Sequence, residues 1–171
     1  MLLLIRRAAH PHVAMLGRIP GTQLYSDVER HPDNESVPGV LMFRVEASLL
    51  YFNTEHVLAT VWKNIRSSAS PVKLVICDLS SSPAVDIAGA RMLAALQADL
   101  AKAGMRLRIV SAHADARDIL RAEGLEERVG HLGRRMTVSD VVEAFLRGTD
   151  PSVVAVKDEG KGTFLEATRL A

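Results

Sequence analysis

The residue types best suited to chemistry stand in one short stretch, Asp78-Leu79-Ser80-Ser81-Ser82-Pro83-Ala84-Val85-Asp86-Ile87-Ala88-Gly89. It follows the apolar run Val72 to Cys77 and leads into a leucine-striped segment, so it reads as the carboxyl end of a central strand passing into a helix. Ligands of open α/β sheets gather at such ends. Hydroxyls beside the free amides of a helix N-terminus are the groups that receive an anion or phosphate. Asp78 and Asp86 put negative charge beside those same amides, and aspartate is also a common cap of its own helix. Phosphate on Ser80, Ser81 or Ser82 would add further negative charge and disturb the loop. The candidate partner or anion loop therefore comprises Asp78, Ser80, Ser81, Ser82, Asp86, Ala88 and Gly89.

Other constellations point away from catalysis and cofactors. Gly160-Lys161-Gly162-Thr163 has glycine after the lysine and no glycine five positions before Gly160, so it is not a phosphate-binding P-loop. No Gly-x-Gly-x-x-Gly is present, so the dinucleotide fingerprint is missing. His10-Pro11-His12 sets two imidazoles close together, but no cysteine or acidic pair stands near in sequence, and a surface loop with no metal is expected. His113 with Asp115, and His131 with Cys77, lie in no nucleophile motif and are expected at element ends. Arg134-Arg135 is too small a basic spot for nucleic acid.

Elements that would carry the loop follow from periodicity. His12 to Ile19 reads as a short strand closed by Pro20-Gly21, and Gln23 to Pro38 as a polar loop. Val40 to Glu46 reads as a buried strand, and Ala47 to Phe52 as a second strand adjoining it. Asn53 is a helix-cap type, and Val57, Leu58, Val61, Trp62 and Ile65 recur at helical spacing. Asp86 opens the next helix, striped by Ile87, Ala90, Leu93, Leu96 and Leu100 and stopped at Gly104. Met105 to Val110 alternates with period two, which predicts a strand with one polar face. Asp115 to Glu123 predicts a short helix, and Thr137 with Asp140 a capping box before Val141, Val142 and Phe145. Strands and helices in this order imply an α/β fold: a mixed, mainly parallel sheet of four to six strands with helices packed on it.

Composition sets the outer bounds. A chain of 171 residues, 48% hydrophobic and 24% charged, suits one domain plus a tail. Twenty-one basic against 20 acidic residues leave a net charge of +1, and aromatics make up 4%, which argues against nucleic acid as a partner. One cysteine, Cys77, excludes an internal disulfide. Met1-Leu2-Leu3-Leu4-Ile5 followed by Arg6-Arg7 is too short to span a bilayer, yet has the order of residues at the cytoplasmic end of a membrane helix.

Together, the strand, Asp78-Leu79-Ser80, a short turn, Asp86-x-x-Gly89 and the leucine-striped helix resemble the signature of STAS domains. The closer resemblance is to the STAS module at the cytoplasmic C-terminus of SulP-type anion permeases. Arg7 to Thr22 resembles the stretch joining the last membrane helix to that module. Pro38 to Glu46 with Tyr51-Phe52-Asn53 is similar to its first strands, and Thr137 to Val142 to the start of its last helix. The resemblance implies a membrane-helix end or linker over 1–12, the STAS domain over 13–147 and a mobile tail over 148–171. It implies a non-enzymatic regulatory module of a secondary anion permease of the sulfate, bicarbonate or dicarboxylate type, with no cofactor. Its place would be the cytoplasmic face of the inner membrane. The implied partners are the membrane transport domain of the same polypeptide, a second copy in a homodimer, and a cytoplasmic protein. The alternative is a free-standing switch like the anti-sigma-factor antagonists, in which a kinase modifies the serine before the glycine of Asp-Ser-Ser-Gly. Here that position is Ala88, which has no hydroxyl.

Overall fold

The structure, a computed structural model, describes residues 8–149. Five strands form one sheet: β1 (Val13–Arg18), β2 (Tyr25–Asp27), β3 (Val40–Val45), β4 (Leu74–Asp78) and β5 (Arg106–Val110). Their order is β2-β1-β3-β4-β5, with β3, β4 and β5 mutually parallel and β1 antiparallel to both its neighbours. The helices are α1 (Thr54–Arg66), α2 (Ile87–Lys102), α3 (Ala114–Ala122), α4 (Leu125–Val129) and α5 (Val138–Leu146). This is the mixed α/β architecture expected, with a strand count inside the expected range.

Each parallel strand is buried along nearly its whole length because helices cover both faces of the sheet. On one face Phe43, Val45, Val75, Cys77, Leu107 and Ile109 pack with residues of α1, α2, α3 and α4. On the other, Met42, Leu74, Ile76 and Val110 pack with Val138, Val141 and Val142 of α5. Alternation along the strands decides which residue faces which layer. Thr137 closes the start of α5 with a capping box: its side chain accepts from the Asp140 N–H, and Asp140 accepts from the Thr137 N–H at 2.8 Å. Gly104, at φ 75°, turns the chain after α2 in a conformation that a side chain would strain.

Four expectations are corrected. Ala47 to Phe52 is not a strand: Asn53 Oδ1 accepts the Leu50 N–H at 3.0 Å and the Asn53 N–H donates to Leu50 O, so the backbone groups are spent in a local turn. One bridge, Leu49 to Val85, is all that remains of sheet pairing there among the described residues. Asn53 stands at the cap position of α1 but makes no side-chain cap bond, because its side chain is turned inward to this turn. The polar face of β5 is not solvated: Arg108 is 5% exposed, and its Nη1 donates to Val129 O. The segment after α4 therefore covers it. Inside the polar stretch 23–38, residues 25–27 form β2, held by pairing to β1 and not by apolar content. Helix α4, too short for a periodic signal, was also not expected. The apolar start 1–5 and the tail from 150 onward lie outside the described residues.

Candidate functional site

Asp78 ends β4 with its carboxylate buried, 2% exposed, and fully engaged. Its Oδ1 accepts the Ser80 N–H at 2.9 Å and its Oδ2 takes the Arg44 Nε–H at 2.8 Å. The pair links the ends of β3 and β4, so Asp78 shapes the turn and presents no free charge. Leu79 is fully buried and its N–H donates to Val110 O. Ser82 is also fully buried, and its hydroxyl donates to Val45 O at 3.0 Å. Of the three serines, Ser80 and Ser81 alone face solvent.

Asp86 caps α2, as expected, and does more. Its Oδ1 accepts the Gly89 N–H at 2.7 Å, and its Oδ2 accepts the Tyr51 N–H at 2.8 Å from a loop 35 residues earlier. The same loop is laced to the segment by Leu49 N–H to Ala84 O and Asp86 N–H to Leu49 O. Gly89 is required by this closeness: a Cβ there would stand 2.6 Å from Leu49 O. Ala88, next to it, is half-buried. Asn53, 1% exposed, completes the knot with donations to Ser48 O at 2.9 Å and Ala8 O at 3.3 Å.

Beside this knot three large apolar side chains also face outward. Tyr51 is 72% exposed, Phe52 41% and Ile87 55%, and the two aromatic rings meet edge to face at 5.2 Å. The sequence reading missed Tyr51 and Phe52 as surface residues by assigning them to a strand. Their signal was the unbroken run Leu49-Leu50-Tyr51-Phe52, which lacks the alternation of a half-buried strand. Asp86, at the N-cap of α2, sets a carboxylate beside the free amides of that helix start.

His113 stands at the start of α3, an element end as expected. Cys77 is buried, and burial pushes its thiol well above the ordinary range, with the Asp78 charge adding to the effect. His131 pairs through Nδ1 with Glu126 at 3.0 Å, and His113 Nε2 lies 3.3 Å from the backbone oxygen of Ser80. Arg134 and Arg135 are exposed, as expected. His10 and His12 are exposed in a loop, as expected, but His12 meets an acidic partner that is not near it in sequence. Pro11 is buried, and His12 Nε2 lies 2.7 Å from Asp27 Oδ2, a carboxylate that β2 supplies from 15 residues away. Burial opposes ionisation of Asp27, but hydrogen bonds from His12 and the Glu29 N–H, with the charges of His12 and Arg30, hold its pKa below the ordinary value.

Among the described residues no helix is long and apolar enough to cross a membrane. The family profile for the STAS domain matches residues 31–144. A probable sulfate transporter of Mycobacterium tuberculosis is 29% identical over 147 residues, covering 86% of this chain and 26% of that protein. The chain thus spans about a quarter of the length of the curated relatives it matches. Among solved structures, the murine solute carrier 26 family member A9 anion transporter in its inward-facing state matches with a TM-score of 0.66 and 22% identity. That match covers 75% of this chain and 21% of the transporter. The STAS domain of a SulP transporter from Vibrio cholerae matches with a TM-score of 0.52 and 18% identity, over 70% of this chain and 91% of that one. These last two likenesses concern the fold.

Proposed function

Since the chain belongs to the STAS domain family, whose members are non-catalytic regulatory modules, we propose that it serves as the cytoplasmic regulatory domain of a SulP-type secondary anion permease. The observation that carries this reading is the match of nearly the whole chain to a minor part of a probable sulfate transporter. The rest of such a polypeptide would hold the membrane transport domain, and anions would cross there. This domain would lie at the inner face of the cell membrane and join a second copy in a homodimer. It would offer the Tyr51, Phe52 and Ile87 surface, with the exposed Ser80 and Ser81 beside it, to a protein partner.

Three features of the knot support a contact role over an enzymatic one. Asp78 and Asp86 are consumed in structural hydrogen bonds, Ser82 is sealed inside, and the exposed rim carries three large apolar side chains. Large apolar groups grouped at a surface mark interaction sites. The free-standing switch reading loses its modifiable hydroxyl at Ala88.

The test is the DNA upstream of the Met1 codon, followed by transport. Membrane-length apolar segments running in frame into Leu2-Leu3-Leu4-Ile5 are expected, and a stop codon with its own ribosome-binding site there overturns the proposal. The complete protein, expressed in cells lacking their own sulfate uptake, should carry radiolabelled sulfate. Ile87→Asp, which charges the exposed rim without touching the core, should lower uptake without lowering the amount of protein in the membrane.

A further inference from the structure

Away from the Asp78 loop, a cavity of 860 Å³ opens beside β1, the turn after β2 and the outer face of α1. Its wall carries His10, His12, Asp27, Glu29, Glu46 and His56, which sets three imidazoles and three carboxylates around one cavity. Ligand atoms of His12, Asp27 and Glu29 all lie within 4.8 Å of one another. We propose that His12, Asp27 and Glu29 form a binding site for a divalent transition-metal ion of the zinc class, which clips the segment before β1 to the turn after β2.

The donor set is one imidazole nitrogen and two carboxylate oxygens. Carboxylates alone would suit magnesium or calcium, whereas the added imidazole moves the preference toward zinc and its neighbours. Three protein ligands leave one tetrahedral position, for water or for a further group of the cavity wall. Zinc bonds of about 2.0–2.2 Å put ligand atoms roughly 3.5 Å apart. Side-chain rotations of His12 and Glu29, both exposed, can bring the three atoms that close, while Asp27 stays fixed in the interior.

The site is also built. Asp27, 6% exposed, is oriented by the Glu29 N–H on Oδ1 at 2.9 Å, which leaves Oδ2 facing His12. A ligand held in this way by a second hydrogen bond is the arrangement that sharpens metal sites. The metal would take the place of the direct contact now made between His12 Nε2 and Asp27 Oδ2. One cation stands against it: Arg30 Nε lies 3.8 Å from Asp27 Oδ2, and Nη2 4.0 Å from Glu46. That side chain is 71% exposed, so solvent is open to it when a metal ion takes its place. The inference is independent of the transporter reading.

The experiment uses the full 171-residue chain, stripped with EDTA and titrated calorimetrically with zinc chloride and, in parallel, magnesium chloride. One saturable zinc per chain is expected, with no magnesium binding over the same concentrations. Glu29→Gln and His12→Asn should each weaken zinc by at least about tenfold, and should shrink the rise in melting temperature that zinc produces. Absence of saturable heat overturns the proposal. So does zinc binding of unchanged affinity in Glu29→Gln, which would place the ion elsewhere, for instance on His131 and Glu126. Should His12→Asn fail to fold because it leaves Asp27 unpaired, Glu29→Gln decides alone, since its side chain is exposed.

Discussion

Replacing Gly89 by alanine sets two effects of opposite sign against each other. In a helix, alanine is favoured over glycine by about 1 kcal/mol, so propensity alone predicts a more stable protein. The structure predicts the reverse. The new Cβ would stand 2.6 Å from Leu49 O and 3.0 Å from Leu49 Cγ, where ordinary contact begins at 3.4 Å, so the backbone must part by some 0.8 Å. Leu49 cannot easily give way: it is fully buried, its N–H is bound to Ala84 O and its own oxygen accepts the Asp86 N–H. Overpacking of this kind costs about 1–3 kcal/mol, and movement of backbone puts it toward the upper end. The net loss is then about 1–2 kcal/mol, or a fall in melting temperature of about 2–8 °C. Urea and thermal unfolding followed by circular dichroism measure it, with Ala88→Ser as a neighbour expected to stay within about 0.5 kcal/mol of the parent. A Gly89→Ala protein as stable as the parent, or more so, would refute the account of the knot.

Asp86→Ala should cost about 1–2 kcal/mol and speed amide exchange at Gly89 and Tyr51 together, because one carboxylate holds both N–H groups; a change at Gly89 alone would disprove the second link. Glu126 is held below the ordinary 4.5 chiefly by the hydrogen bond from Arg121, against burial, with help from the Leu132 N–H and the charges of Arg121 and His131. Its native pKa lies below the unfolded one, so its contribution is complete above the unfolded value and is lost as pH falls through the native value. Glu126→Gln should therefore flatten the loss of stability on acidification below about pH 5, and an unchanged slope in urea titrations counts against the pairing. Cys77 should resist thiol reagents in the folded protein and react on unfolding in urea, whereas fast labelling of the native state would show that β4 is not sealed.

Most of the layered fold was legible in the sequence because its signals are periodic and local. The leucine stripe of α2, the apolar run of β4 and the capping box of α5 each announce themselves within one element. The candidate loop was placed correctly at the end of β4, and Asp86 does cap α2. What escaped depends on contacts between distant residues. Nothing near Leu49 in the chain shows that it will lie against Gly89, forty residues on, and so the segment 47–52 read as a strand. Arg108 reads as a surface residue until residues 129–136 fold over it. His12 has no acidic neighbour in sequence, and gains Asp27 and Glu29 only when β2 pairs beside β1.

The unequal covering of the sheet has a bearing on how the protein is made. Four helices roof one face, but the other depends on α5, which follows β5 by a long interval. During synthesis at roughly 5–20 residues per second, the ribosome takes about 2–7 seconds to travel from Val110 to Leu146. Throughout that delay Met42, Leu74, Ile76 and Val110 have no helix to lie against, however well the opposite face has formed. Holding chaperones would have a definite target on the nascent chain for those seconds, and a ribosome stalled before Val138 would leave a half-roofed sheet ready to pair with its neighbours.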